Sequence, residues 1–389
     1  MAKNGNNVPE ENGRHVRFVQ TAADGTGGSF VNFGFTEEQE MLRDQVVRFI
    51  DDECSIDVIR TFDPDTNQAL WKKIVELGWV GLTVPERFGG SGLKWVDLTV
   101  VLEETGRGLC PLPLTSNALA CAAILRSGSI AQQQEWLPKI ANGSVVFGFG
   151  LYDEPNWIDK GAITLEASDH ITGTKAFVSD ALLATHVMIG VQTKNGPALS
   201  IVDGKAINST ALDVMDRTKP AAQVQFDQVP ATTDRLIPLT DADLDYVNSC
   251  GAVAVTAEMV GAAEAVLALT SNYAKERIQF GHPIGKYQGV KHRLADMFVD
   301  IESFKSLLYY AAWCVDDATG ELSQAASRAK AHASDAFAQI GIDGVGLHGA
   351  IGYTAEYDVQ LYLKRAKWAR TMFGDSDFHY DRVATLGGL

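Results

Sequence analysis

Positive charge is scarce in this chain. Its 389 residues carry 33 Lys+Arg against 49 Asp+Glu, a formal net charge of −16. That excludes the basic footprint expected of a protein that binds nucleic acid or an anionic membrane. It is compatible with a phosphorylated cofactor, for which a few local arginines suffice. Cysteine is sparse as well. Cys54, Cys110, Cys121, Cys250 and Cys314 are odd in number, scattered and without a C-x-x-C pair. The pattern argues against a disulfide framework or zinc site and points to free thiols in a reducing cytoplasm. Apolar runs are broken by polar residues short of the roughly 20 needed to cross a bilayer, so no membrane span is expected. Met1 to Gly28 is polar and Gly/Asn-rich. It lacks the basic-then-apolar order of a signal peptide and reads as a flexible tail. His282, His292, His332 and His348 have no metal-ligand spacing, and no metal is expected.

What is present is an ordinary globular composition, 46% hydrophobic and 21% charged, long enough for two or three packed domains. Thr36 followed by Gln39 has the form of a capping box. Behind it Met41, Leu42, Val46, Phe49 and Ile50 recur at helical spacing. Helical patterns follow over 70–77, 96–105 and 117–126, with a Pro/Gly-rich turn at 84–92. From about Val145 to Ile237 the pattern changes to short β-branched runs. Val224 and Phe226 alternate there with Gln223 and Gln225, as in a half-buried strand. From about Asp241 onward long Ala-rich helical stretches return, at 252–277, 290–316 and 323–341, and suggest a four-helix bundle. The expected class is α+β. A flexible tail (1–34) precedes an N-terminal helical domain (35–147), a middle β-barrel or sandwich (148–238) and a C-terminal four-helix bundle (239–389). Gly344 to Gly349 matches G-x-G-x-x-G, but the Ala-rich helical stretch before it is the wrong context for a dinucleotide-binding turn, which needs a preceding strand.

Four ordered motifs resemble the acyl-CoA dehydrogenase family along nearly the whole chain after residue 34. Leu82 to Gly92 (LTVPERFGGSG) is similar to the family's VPEEYGGxG turn. Arg277 to Gly285 (RIQFGHPIG), followed by Gln288, is similar to its RxQFGxPIG signature. His348 to Thr354 with Glu356-Tyr357 resembles its HGGxGYTxEY loop, and Tyr362 to Lys367 resembles its YRDAK stretch.

The resemblance implies α,β-dehydrogenation of an acyl-CoA thioester, with FAD as cofactor and electron-transfer flavoprotein as acceptor. A protein base removes the α-proton, and FAD is the electron sink. It also implies that FAD is shared between neighbouring subunits. Arg277 and Phe280 would meet its ADP half, Gln288 would add a hydrogen bond, and the Gly349–Gly352 loop would bring backbone N–H groups to the pyrophosphate. Alone, Arg277 and Phe280 read as a surface charge and a core aromatic; the flanking motifs favour the clasp. Phe177 and Ser179 fall where the family has the W-I-T segment beneath the flavin ring, or they form an ordinary strand end.

The departures are as informative. Of the family's TEPxxGSD loop only Glu154-Pro155 remains, and Gly346 stands where a pyrophosphate-binding glutamine belongs. The family's glutamate base sits at one of two positions, which are Phe373 and Gly251 here. Neither can accept a proton. Glu258 lies too far along the same helix, Cys250 points off its face, and Asp375 serves only after a one-residue slip. The reading is therefore a base-less subunit of a heteromeric complex, such as the heterotetramers of steroid side-chain degradation. Its partner would be a second acyl-CoA dehydrogenase chain carrying the base. The alternatives are an active homo-oligomer with Asp375 as base, like nitroalkane oxidase, and a scaffold that binds neither flavin nor substrate.

Overall fold

A computed structural model describes residues 35–61, 64–153 and 160–389. The tail 1–34 and Glu154-Pro155 lie outside them. The first layer is helical: α1 (Glu37–Glu53), α2 (Ile56–Arg60), α3 (Pro64–Glu76), α4 (Trp95–Arg107), α5 (Leu114–Ser127) and α6 (Ile130–Ala141). The capping box predicted at Thr36 is present. The Thr36 hydroxyl accepts from Gln39 N at 3.3 Å and the Gln39 side chain accepts from Thr36 N at 3.0 Å. Ser129/Gln132 and Thr240/Asp243 start α6 and the later helix α7 (Asp241–Glu276) in the same way, each satisfying helix-end donors that would otherwise be orphaned.

The β layer comprises β1 (Phe147–Gly150), β2 (His170–Ser179), β3 (His186–Thr193), β4 (Gly196–Asp203), β5 (Ile207–Ala211), β6 (Ala221–Pro230) and β7 (Leu236–Pro238). The barrel or sandwich expected from the pattern takes the form of one seven-stranded mixed sheet, ordered β5-β6-β2-β1-β3-β4-β7. Only β1 and β3 run parallel. The alternation read at 222–226 holds: Ala222, Val224 and Phe226 are buried, and Gln223 and Gln225 are exposed.

The last layer is α7 (Asp241–Glu276), the short β8–β9 hairpin (Ile278–Gln279, His282–Pro283), α8 (Gln288–Asp317), α9 (Leu322–His348), α10 (Val359–Thr371) and α11 (Ser376–Leu386). The G-x-G-x-x-G run belongs to the last turns of α9 and its cap, so helix precedes it. By length and composition α7 could cross a bilayer, with a mean hydropathy of 1.7 over 18 residues, a signal that the broken apolar runs of the sequence understate. Yet 72% of that window is buried inside the protein, which makes α7 a core helix.

Two glycines set how α7 lies on the first layer. A Cβ on Gly261 would stand 1.7 Å from Glu103 O, and one on Gly106 would stand 2.2 Å from Glu258 O. The backbones of α4 and α7 thus touch at their crossing, which only glycine permits. The contact fixes the part of α7 that faces the pocket described next.

Candidate functional site

One pocket opens where the three layers meet, with about 760 Å³ of unfilled space, its open mouth included. Helix α5 contributes Thr115, Ser116 and Leu119. The ends of β1 and β2 contribute Gly150, Phe177, Ser179 and Asp180. The opposite wall is Val255 of α7, Trp368 of α10, and Met372 and Phe373 of the turn after α10. The two candidate flavin-platform residues, Phe177 and Ser179, therefore line the same cavity as the candidate base position Phe373.

Gly251 lies behind that wall. A Cβ on Gly251 would stand 2.3 Å from Phe373 Cδ1 and 2.5 Å from Cε1. The two positions, 122 residues apart in sequence, converge on one point, and an aromatic ring fills it. Phe373 takes a left-handed backbone, φ 55°, which an aromatic residue adopts only when its surroundings impose it. Asp375 is turned elsewhere: it is exposed, caps α11 and accepts from Phe378 N at 2.9 Å. Cys250 is buried beside Tyr246, and burial pushes its thiol up.

Glu258 is buried and engaged. It accepts from Thr115 Oγ1 at 2.8 Å, lies 2.7 Å from Lys219 Nζ and is 3.1 Å from Arg365 Nη1. Arg365 also reaches Asp216 at 2.5 Å and Thr218 at 2.6 Å. Two cations and two carboxylates thus balance in a cluster that draws on α5, the 216–219 segment, α7 and α10. Trp368, on the pocket wall, sits under both cations at 5.0 and 5.6 Å. Burial pushes the Asp216 carboxyl up, but Arg365 and Thr218 outweigh it and hold the group below the usual carboxylate range. Asp180 behaves oppositely. It lines the pocket, accepts from Ser116 Oγ at 2.5 Å, and burial raises its pKa against Lys219 and Ser116. Neither Asp180 nor the Arg365 cluster was legible as a site residue in the sequence. The one signal is an Arg where the family's YRDAK stretch carries its acidic residue.

The candidate ADP clasp is on another surface. Arg277 caps α7, is exposed, and forms no ion pair or side-chain hydrogen bond among the described residues. Phe280, at the tip of the hairpin, is 89% exposed, and Gln288 begins α8, also exposed. Gly349 has φ 65° and open space where a Cβ would stand. Gly352, by contrast, is buried, and a Cβ there would meet Val345 O at 2.6 Å, so it packs the loop rather than presenting it. The rings of Tyr273 and His348 are 4.4 Å apart and tie the end of α7 to this loop. His348 Nδ1 bonds Gly344 O at 2.7 Å, while its buried Nε2 has no partner among the described residues. A free guanidinium, an exposed ring and an uncrowded glycine turn fit the nucleotide half of FAD.

Comparisons with known proteins agree with this fold. The family models for the N-terminal and C-terminal domains of acyl-CoA dehydrogenase match residues 36–144 and 249–386. Acyl-CoA dehydrogenase IpdE2 of Mycolicibacterium smegmatis is 30% identical over 347 residues, 87% of this chain and 95% of that protein. The pig mitochondrial short-chain specific acyl-CoA dehydrogenase is 26% identical, covering 92% of each chain. Among solved structures, a variant of the Tcur3481-Tcur3483 steroid acyl-CoA dehydrogenase aligns with a TM-score of 0.81 at 27% identity, over 90% of this chain and 98% of that one. The chain belongs to the acyl-CoA dehydrogenase family, whose members are FAD-dependent oxidoreductases acting on acyl-CoA.

Proposed function

We propose that this chain is the base-less subunit of a heteromeric acyl-CoA dehydrogenase, and that it lends the ADP side of a FAD site to a partner chain carrying the base. The observation that carries the reading is the Phe373 ring seated against Gly251, which fills the place of a base with hydrocarbon. General-base catalysis needs an acceptor within hydrogen-bond reach of the substrate proton. Glu258 is held by Lys219 and Arg365, and Asp375 by the N-terminus of α11.

Bound FAD supplies the electron sink of the family's reaction. This chain's own part is binding and orientation. Arg277 would pair with phosphate oxygens, Phe280 would pack on the nucleotide, Gln288 would add a hydrogen bond, and the Gly349 turn would offer backbone N–H groups. The similarity to a two-component steroid acyl-CoA dehydrogenase supports a bulky, polycyclic acyl-CoA as the substrate of the complex.

The test is purification with and without a base-carrying family member. Alone, the chain should hold little FAD and oxidise no acyl-CoA. With its partner, the complex should be yellow and active. Stoichiometric flavin with turnover in the isolated chain would falsify the proposal.

A further inference from the structure

Lys330, in the middle of α9, is fully buried. No carboxylate pairs with it among the described residues. Its Nζ donates to Ser334 Oγ at 3.0 Å, Arg370 O at 3.1 Å and Gly374 O at 2.8 Å. The last two carbonyls flank the turn that carries Met372 and Phe373 into the pocket wall. His379 of α11 takes the carbonyl between them: Nε2 lies 2.9 Å from Phe373 O, while Nδ1 lies 3.2 Å from Ser327 Oγ. The turn is a constrained one, with φ 55° at Phe373 and 105° at Gly374. Burying a lysine amine with no carboxylate beside it, on two main-chain carbonyls, is costly, and the turn is what it holds.

We propose that Lys330 is the positioning residue of this turn, keeping Phe373 against Gly251 and so setting the pocket wall, and that lifting the turn hydrates Lys330 and takes up a proton. The charged groups facing Lys330 are Asp375 at the start of α11, Asp335 on its own helix, Arg370 on α10 and the His379 ring. Burial drives the Lys330 ammonium down to about 7, Asp375 and Asp335 opposing and Arg370 assisting. Burial and the Lys330 charge drive His379 down to about 3, so His379 stays neutral. Once hydrated, Lys330 returns toward the ordinary lysine value of about 10.4. Between those values the open turn binds a proton that the closed turn does not. Opening is therefore favoured as pH falls from about 10 toward 7, by up to about tenfold per pH unit. Below about 7 both forms are protonated and the effect stops.

What the wall does for a ligand rests on the proposed function, but the experiment does not. Amide hydrogen exchange of residues 371–375 in the whole chain is followed from pH 5.5 to 9 and corrected for the intrinsic exchange rate. Protection should be flat up to about pH 7 and then climb, by up to about tenfold per unit. In Lys330→Met the climb should vanish. A flat profile in the unmodified chain from pH 7 to 9 overturns the proposal, as does a climb that survives Lys330→Met. The same slope at protected amides throughout the molecule, including the α4–α7 crossing, also overturns it, because the proton uptake would then belong to global unfolding. Should Lys330→Met fail to fold, the profile of the unmodified chain decides by itself. Catalytic activity in the isolated chain would sink the proposed function and leave this result standing.

Discussion

Glu258 and Arg365 face each other at 3.1 Å with both side chains buried. Arg365 spans from there to Asp216, so the one arginine joins the core helix α7 to the segment between β5 and β6. Breaking such a group by deleting one charge leaves the others uncompensated, at a cost of about 3–5 kcal/mol. Arg365→Met should lower stability by that order, read as a shift of the urea midpoint at unchanged slope. A shift under about 1 kcal/mol would mean the cluster is structurally idle.

The same cluster has a pH signature. The folded-state pKa of Asp216 lies below its ordinary value, so the unfolded chain binds the proton more readily. The stabilisation is complete above about pH 4 and is lost as pH falls through the lower folded value. Asp216→Asn should be less stable than the parent at pH 7, and its stability should fall less steeply below pH 4. Parallel acid profiles for the two proteins would remove Asp216 from this account.

Gly251→Ala should destabilise the chain by about 1–3 kcal/mol, because its methyl group would overlap the Phe373 ring and the core there has no slack. Phe373→Ala should relieve that clash. A double-mutant cycle should therefore give a coupling of about 1 kcal/mol or more. Additivity of the two substitutions would mean they do not meet.

Asp375 caps α11, and Asn caps a helix about as well as Asp. Asp375→Asn should leave both stability and the turnover of the complex within a few-fold of the parent. Asp375→Ala should cost about 1 kcal/mol of stability. Loss of roughly 10²–10⁴ in turnover for the Asn variant, the scale for a general base, would make Asp375 the base after all.

Arg277 meets the ADP half of FAD under the proposed function, and a lost charge-assisted hydrogen bond to phosphate costs about 1.5–3 kcal/mol. That is about 10- to 150-fold in affinity. Arg277→Ala should give a complex that assembles, sheds flavin on gel filtration and regains its rate with added FAD. Full flavin retention after dilution would reduce Arg277 to a surface charge.

The order of helices and strands was legible in the sequence because its signals are short-range. The Thr36/Gln39 box, the alternation at 222–226 and the Ala-rich runs of α7 and α9 each depend on residues a few positions apart. The RIQFGHPIG and VPERFGG motifs named the family for the same reason, being contiguous in the chain. The sequence could also state which residue types stand at the two base positions. Only tertiary structure decided what those positions do. Gly251 and Phe373 had to be brought together before the ring could be seen to fill the gap. Asp375 had to begin a helix before its carboxylate was committed to a cap. The charge on Glu258 was answered by Lys219 and Arg365, 39 and 107 residues away. Burial and ion pairing are properties of packed surfaces, and it is the packing of α5, the 216–219 segment and α10 with its following turn against α7 that placed these groups within reach of one another.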